Sequence, residues 1–258
     1  MIRVENITHN YANGDKVLND LSFAIGQGEK VSLVGANGCG KTTLLKILNG
    51  LIVPTGGRYY FKDTQITPKT LRQTALAGPF RKNAVLLFQN PDSMIFNPTV
   101  FDEIAFGPRQ FELDHIDERV RHWANQVGIT RQLDRPPVEL SKGEKQKVCL
   151  AAVLVLEPEL LLLDEPTASL DPRSTGWLVE FLGDTDMTTL AATHNLGLAA
   201  EMGTRSLVLS EHHELIFDGT MESLLKDTDK LIEANLVHVH RHKHGDVEHR
   251  HYHIHDWE

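Results

Sequence analysis

Short apolar runs broken by turn-forming residues fill the first ~60 positions of the chain, and their lengths and periods sort them into strands and helices. Ile2 to Ile7 and Val17 to Ile25 read as strands, divided by the turn signal NGD at 13 to 15 and closed by GQGE at 26 to 29. Lys30 to Val34 is short and rich in β-branched residues, as a buried strand should be. A glycine-rich turn and a helix from Lys41 to about Leu48 follow it. Tyr59 to Phe61, after TGG, and Ala84 to Phe88 continue the series of strands.

Between Gln89 and Leu140 the period becomes helical, clearest over Glu112 to Val127, with punctuation at Pro91, Pro98, Pro108 and Pro136-Pro137. This stretch reads as an inserted helical subdomain. Beyond it come a helix (Lys142 to Leu156), a strand (Leu160 to Leu163), a helix (about Arg173 to Leu182) and a strand (Thr188 to Ala192). Leu207 to Leu209 and Leu215 to Phe217 then form a candidate hairpin. Such alternation predicts an α/β fold with a mostly parallel, helix-covered sheet. The chain has no internal repeat, and its one biased segment is the C-terminal tail.

Composition narrows the function classes. At 258 residues the chain can bury one large core, and 41% hydrophobic with 24% charged residues is ordinary for a globular protein. A formal net charge of -9 argues against a general nucleic-acid binder, whose affinity would come from neutralising phosphates. Two cysteines, Cys39 and Cys149, form no framework of bridges and favour a reducing compartment. The N-terminus MIRVENITHN carries no signal pattern, and the apolar stretch from Val148 through Leu163 is interrupted by Glu157, Pro158 and Glu159. Neither half reaches the ~20 apolar residues a bilayer requires, so a membrane role would come through a partner.

The chemistry begins at GANGCGKT, Gly35 to Thr42, which fits the phosphate-binding loop G-x-x-x-x-G-K-[ST] after a strand and before a helix. Backbone N–H groups of Asn37 to Lys41 can wrap a β-phosphate at the positive end of the helix, while Lys41 reaches the β/γ-phosphates. The Thr42 hydroxyl would ligate Mg²⁺. Four constrained positions arise by chance in roughly one chain of this length in a hundred, so the loop alone is suggestive. LLLLDE, Leu160 to Glu165, adds a strand ending in two acids, where α/β sheets place ligand chemistry. Asp164 is suited to hold Mg²⁺ through water, and Glu165 to polarise an attacking water as general base. The bland alternative is a core strand ending in two exposed carboxylates.

With the remaining motifs in order, the chain resembles the nucleotide-binding subunit of an ABC transporter, from about residue 4 to 220. The resemblance implies a P-loop ABC ATPase fold: a mostly parallel core sheet, an antiparallel β portion at the N-terminus and a helical subdomain at about 90–156. The ATPase domain would span 1–236. Tyr11 matches the aromatic that stacks on adenine, and the implied ATP set is Tyr11, Asn37, Gly38, Cys39, Gly40, Lys41, Thr42 and Thr43. Gln89 in LLFQNP matches the glutamine that contacts Mg²⁺ and the attacking water. With Thr42 and Asp164 it completes the implied Mg²⁺ set. His194 in ATHN matches the histidine at the γ-phosphate, so the implied catalytic residues are Glu165, His194 and Gln89. LSKGE, Leu140 to Glu144, matches the signature sequence, and Ser169 to Asp171 the loop after the second acidic motif. These imply a head-to-tail homodimer in which Ser141, Gly143 and Asp171 contact the ATP of the other copy. Taken alone, Tyr11 would be a packing aromatic, Gln89 a surface amide and His194 a strand-end histidine.

The signature departs from LSGGQ at Lys142 and Glu144. Locally, Ser141-x-x-Glu144 reads as a capping box that opens the following helix. The stretch NPDSMIFNPTVFDEIAFGP after Gln89 is similar to that of energy-coupling factor ATPases, especially of cobalt and nickel importers. That likeness implies integral membrane partners (a transmembrane coupling protein and a substrate-binding component) and a peripheral place on the cytoplasmic face of the membrane. Met94, Ile95, Phe96 and Phe101 are the candidate apolar anchors, on a surface expected to carry Asp92, Asp102 and Glu103. A vitamin importer of the same type and a soluble, non-transport ABC ATPase are the alternatives.

Residues 237–258 form a histidine-rich tail. His238, His240, His242 and His244 alternate with other residues, as do His249, His251, His253 and His255. In an extended segment a period of two puts four imidazoles on one side, and neutral imidazole suits Ni²⁺, Co²⁺, Cu²⁺ and Zn²⁺. Gly245-Asp246 could let the two runs fold back as a hairpin. The mixture with Arg, Asp, Glu and Tyr is unlike a purification tag, and a merely solvated end is the alternative to metal binding.

Overall fold

The structure, a computed structural model, describes residues 1–244 and 247–254, with side chains described through 237. Its elements in chain order open with β1 (Ile2–Asn10), β2 (Lys16–Ile25), β3 (Lys30–Val34), α1 (Lys41–Leu48), β4 (Gly56–Phe61), β5 (Thr64–Gln65), α2 (Thr74–Asn83) and β6 (Ala84–Leu87). The helical stretch holds α3 (Val100–Gln110), α4 (Ile116–Gln126) and α5 (Lys142–Leu154). Then come β7 (Leu160–Asp164), α6 (Pro172–Asp184), β8 (Thr188–Thr193), α7 (Leu196–Met202), β9 (Arg205–Leu209), β10 (Leu215–Thr220), α8 (Met221–Lys226) and α9 (Thr228–Glu233). The last elements are β11 (Val237–His244) and β12 (Val247–Ile254).

The central sheet has six strands in the order β10-β9-β3-β8-β7-β6, parallel throughout except for β10 at one edge. Strand β7 shows why it lies inside: Leu160 to Leu163 are all fully buried, because helices or a second sheet cover both faces. Leu161 and Leu163 join the core under α3 to α6, while Leu160 and Leu162 join the core that reaches α1 and the N-terminal strands. The period of two thus splits one apolar run between two cores, each leucine contributing roughly 1.5–3 kcal/mol. The N-terminal strands form an antiparallel sheet, β2-β1-β4-β5, whose inward residues Ile7, Leu21, Ile25 and Tyr59 close the second core over α1.

Two differences from the sequence expectations have local causes. The helix expected over Glu112 to Val127 starts only at Ile116, because Glu112 (φ 51°) and His115 (φ 57°) take left-handed backbone that breaks the segment. Helix α2 carries no helical signal in the sequence, where Gly78 and Pro79 look like breakers; Pro79 instead sits inside it, and its carbonyl accepts a hydrogen bond from Asn83 Nδ2. Strands β11 and β12 pair antiparallel as a two-stranded ribbon, while Gly245, Asp246 and His255 lie outside the described residues.

Candidate functional site

The turn from β3 into α1 is shaped by Gly40 (φ 112°), where a Cβ would stand 2.4 Å from the Val17 carbonyl oxygen. Any side chain there would push β2 away from the loop. Helix α1 has no side-chain cap at its N-terminus and no acid in its first turn, so its first amides are left for an anion. Lys41 is buried, and its ammonium donates to the carbonyls of Gly35 (2.7 Å) and Ala36 (3.1 Å) of the same loop. The loop borders a cleft of about 380 Å³ lined by Val17, Asn37, Gly38, Gly40, Lys41, Thr42, Thr43, Gln89, Asp164 and Glu165.

Parallel pairing brings the end of β7 beside α1. The Thr42 hydroxyl donates to Asp164 Oδ2 at 2.7 Å across 122 positions of sequence. Burial raises the Asp164 carboxyl above its ordinary range, a shift opposed by the Thr42 hydrogen bond. A hydroxyl and a carboxylate facing one cleft are the hard oxygen donors that suit Mg²⁺, and an uncapped helix end above Lys41 suits a polyphosphate. ATP and Mg²⁺ therefore fit the residues present.

Glu165 follows in left-handed backbone (φ 45°), the conformation that turns it out of the strand. Its Oε1 accepts from the His194 backbone N–H at 3.0 Å and lies 2.7 Å from His194 Nδ1, and its Oε2 accepts from the Thr193 hydroxyl at 3.1 Å. Thr193 was missing from the sequence expectations, because nothing in ATHN distinguishes its hydroxyl from that of an ordinary strand residue.

Several expected residues do not line this cleft. The Cys39 side chain is buried in the second core, and its burial raises the thiol pKa, so only its backbone faces the loop's chemistry. Tyr11 is 41% exposed, and its hydroxyl is 3.0 Å from Thr43 Oγ1. Ser141, Gly143 and Asp171 also lie outside the lining set of this single chain. Ser141 forms the expected capping box: its hydroxyl accepts from the Glu144 N–H, and Glu144 Oε2 accepts from the Ser141 N–H at 2.9 Å. Those Ser141 bonds, the backbone one first, hold the Glu144 carboxyl below its usual range. Asp171 caps α6 through Ser174 and pairs with Lys147 at 3.2 Å; the Ser174 hydroxyl is the first cause of its lowered pKa.

Beyond Gln89, Met94, Ile95 and Phe101 are partly buried against the first core, whereas Phe96 is 67% exposed and packs edge-on against Phe106, centroids 4.8 Å apart. Glu103, expected on the surface, is instead buried. Its Oε2 accepts from the backbone N–H groups of Phe96 (2.9 Å) and Asn97 (2.8 Å), fixing the loop that presents Phe96. Among the residues whose side chains are described, no three of His, Cys, Asp and Glu are grouped to hold a metal ion, and no described helix is long and apolar enough to cross a membrane.

Comparison with known proteins settles the family. The ABC transporter family model matches residues 18–168, more than half of the chain. The chain belongs to the ABC transporter family. A Methanosarcina acetivorans protein described as an ABC transporter ATP-binding protein is 42% identical over 243 residues, covering 91% of this chain and 88% of that one. A relative of the same description from Caldanaerobacter subterraneus is 40% identical, covering 92% and 99%. Among solved structures, cbiO1 from Clostridium perfringens, part of the ABC transporter complex cbiONQ, superposes with a TM-score of 0.74 at 31% identity, covering 91% and 94%. A dimeric ATP-binding cassette in a post-hydrolysis state bound to ADP and Pi shares the fold, with a TM-score of 0.78 at 24% identity, covering 86% and 99%. This ABC cassette is thus an ATPase, the ATP-binding subunit of a transporter.

Proposed function

We propose that this ABC ATPase drives a membrane importer for a transition metal ion, cobalt or nickel, as a head-to-tail homodimer on the cytoplasmic face of the membrane. The observation that carries the ATP chemistry is the convergence of Thr42, Asp164 and Glu165 on one cleft, with His194 at hydrogen-bond distance from Glu165. The likeness to cbiO1 and the sequence after Gln89 support the metal cargo and the membrane partners. Phe96, on a loop fixed by buried Glu103, and Phe106, on α3, form the surface that receives a transmembrane subunit.

The N-terminal amides of α1 and Lys41 would bind the phosphates in the cleft, Tyr11 outside its lining would receive the adenine, and Thr42, Asp164 and Gln89 would hold Mg²⁺. The bound cation supplies charge stabilisation on the phosphate oxygens. Glu165 orients and deprotonates the attacking water as general base. His194, at hydrogen-bond distance from Glu165, stands where it can release that carboxylate and turn to the γ-phosphate. Ser141, Gly143 and Asp171 complete the site of the other copy, so ATP closes the dimer and hydrolysis opens it. The tail offers Co²⁺ or Ni²⁺ a second place on the chain.

Purification of the chain with its membrane subunits, followed by ATPase and uptake assays in vesicles, tests the reading. Stimulation by Co²⁺ or Ni²⁺ is expected. Stimulation by a vitamin alone would move the cargo to the organic branch, and absence of any integral membrane partner would end the importer reading.

A further inference from the structure

His213 lies in the turn between β9 and β10 in left-handed backbone (φ 65°), a region that glycine enters freely and that a Cβ disfavours. The turn is closed by backbone bonds alone, from His213 N–H to the Ser210 carbonyl and from Ser210 N–H to the Glu214 carbonyl, each at 3.0 Å. The imidazole takes no part in them. It reaches back across 174 positions of sequence instead, and its Nδ1 is 3.1 Å from the Cys39 carbonyl oxygen in the phosphate loop. A carbonyl can only accept, so Nδ1 carries the proton and donates it. The turn that carries His213 is itself anchored: the Asn19 N–H of β2 donates to the His213 carbonyl at 2.9 Å. The loop in turn lies against the end of β9, because a Cβ on Gly35 would stand 2.6 Å from the Leu209 carbonyl oxygen.

The Cys39 carbonyl precedes the ladder of α1, which opens with the Leu44 N–H donating to the Gly40 carbonyl at 2.9 Å. In a planar trans peptide the C=O and the next N–H point in opposite directions. An imidazole that holds the Cys39 carbonyl toward the β9–β10 turn therefore holds the Gly40 N–H away from it. That amide donates to no acceptor among the described residues, and Gly40 lines the cleft whereas His213 does not. We propose that His213 is a positioning residue for nucleotide binding: it fixes the Cys39–Gly40 peptide so that the Gly40 N–H is preset to donate to the β-phosphate. Without the imidazole this peptide is free to rotate beside a glycine, and binding must then supply the ordering. ADP and ATP share the β-phosphate, and its contacts are alike before and during attack on the γ-phosphate. The imidazole therefore sets affinity for both nucleotides by the same factor and leaves the turnover number alone. The proposal rests on the reading of residues 35–42 as the phosphate site, and is independent of the cargo.

The test measures ADP affinity of the full-length chain by calorimetry, and KM and kcat for ATP by steady-state hydrolysis. His213→Gly keeps the left-handed turn and removes only the donor. The ADP Kd and the ATP KM should rise together by about three- to tenfold, the worth of one net hydrogen bond, with kcat unchanged. His213→Asn places an amide Nδ2 where Nδ1 stands and tolerates left-handed backbone, so it should return both constants to within about twofold of the parent. Thermal melts of the nucleotide-free proteins accompany both variants. Parent-level ADP affinity in His213→Gly would overturn the proposal, as would an asparagine variant as weak as the glycine one, or a fall in kcat with KM unmoved. A loss of affinity that tracks a lowered melting temperature in both variants would make His213 a purely structural residue, and would overturn it too. Lys41→Ala separates the two readings. If it binds ADP as the parent does, the phosphate-site reading falls; if it loses ADP while His213→Gly keeps it, only the role of His213 falls.

Discussion

His194 Nδ1 lies 2.7 Å from Glu165 Oε1, and the same oxygen accepts the His194 backbone N–H at 3.0 Å. The contact joins the end of β7 to the end of β8, neighbours in the sheet but 29 positions apart in sequence. Glutamine in place of Glu165 keeps the volume and removes the charge that abstracts a proton. Glu165→Gln should retain ATP binding, slow hydrolysis about 10²–10⁴-fold and accumulate an ATP-bound dimer on size-exclusion chromatography. Parent-level turnover by this variant would remove Glu165 from its role.

Asp164 makes a stability prediction of opposite sign to its activity prediction. Its folded-state pKa is raised by burial, so its ionised form costs stability at neutral pH. Asp164→Asn can still accept the Thr42 hydrogen bond and should raise the Tm of the nucleotide-free protein by a few degrees while abolishing Mg²⁺-dependent hydrolysis. The gain is full above the folded-state pKa and shrinks as pH falls through that value toward the unfolded one. Thermal melts from neutral to acidic pH read it directly; a variant less stable than the parent at neutral pH would contradict the burial argument.

The changed signature carries a charge pair of its own. Glu144 is held ionised by Ser141, and in a head-to-tail dimer its negative charge would approach the γ-phosphate of the other copy. Exposed Lys142 makes no ion pair among the described residues and can offset that charge. Lys142→Gly should weaken ATP-driven dimerisation of the Glu165→Gln protein about tenfold. Glu144→Gln should strengthen it, and the double variant should return near the parent. Sedimentation at several salt concentrations measures all three. An unchanged dimer affinity for Lys142→Gly would mean that Lys142 faces away from the nucleotide.

Phe96 and Phe106 are exposed aromatics stacked edge-on beside a loop fixed by a buried carboxylate. Phe96→Asp should lower recovery of the membrane subunits in a pull-down at least tenfold and leave ATP turnover of the isolated chain unchanged. Glu103→Gln should loosen the same loop with a smaller loss. Equal recovery by Phe96→Asp would place the membrane contact elsewhere.

The strand–loop–helix at 30–48 and the acid-ended strand at 160–165 were readable from sequence because each is local: period, length and glycine placement act within a few residues. The capping box at Ser141 was legible for the same reason, and the structure contains it. Helix α2 was not legible, since Gly78-Pro79 carries a local signal that the burial of Ala77 and Phe80 overrides. Glu103 was misplaced on the surface because a carboxylate's burial depends on which backbone N–H groups reach it, and those of Phe96 and Asn97 come from a loop that periodicity does not position.

By itself, then, the sequence determined the order of strands and helices, the phosphate loop, the acidic pair and the period-two spacing of the tail histidines. All of these follow from preferences of the chain within a turn or two. Only the tertiary structure decided that Thr42 meets Asp164, that Glu165 is held by both Thr193 and His194, and that three tail histidines lie opposite three others in the ribbon's register. Those contacts depend on sheet order and register, which long-range pairing sets and no local pattern specifies.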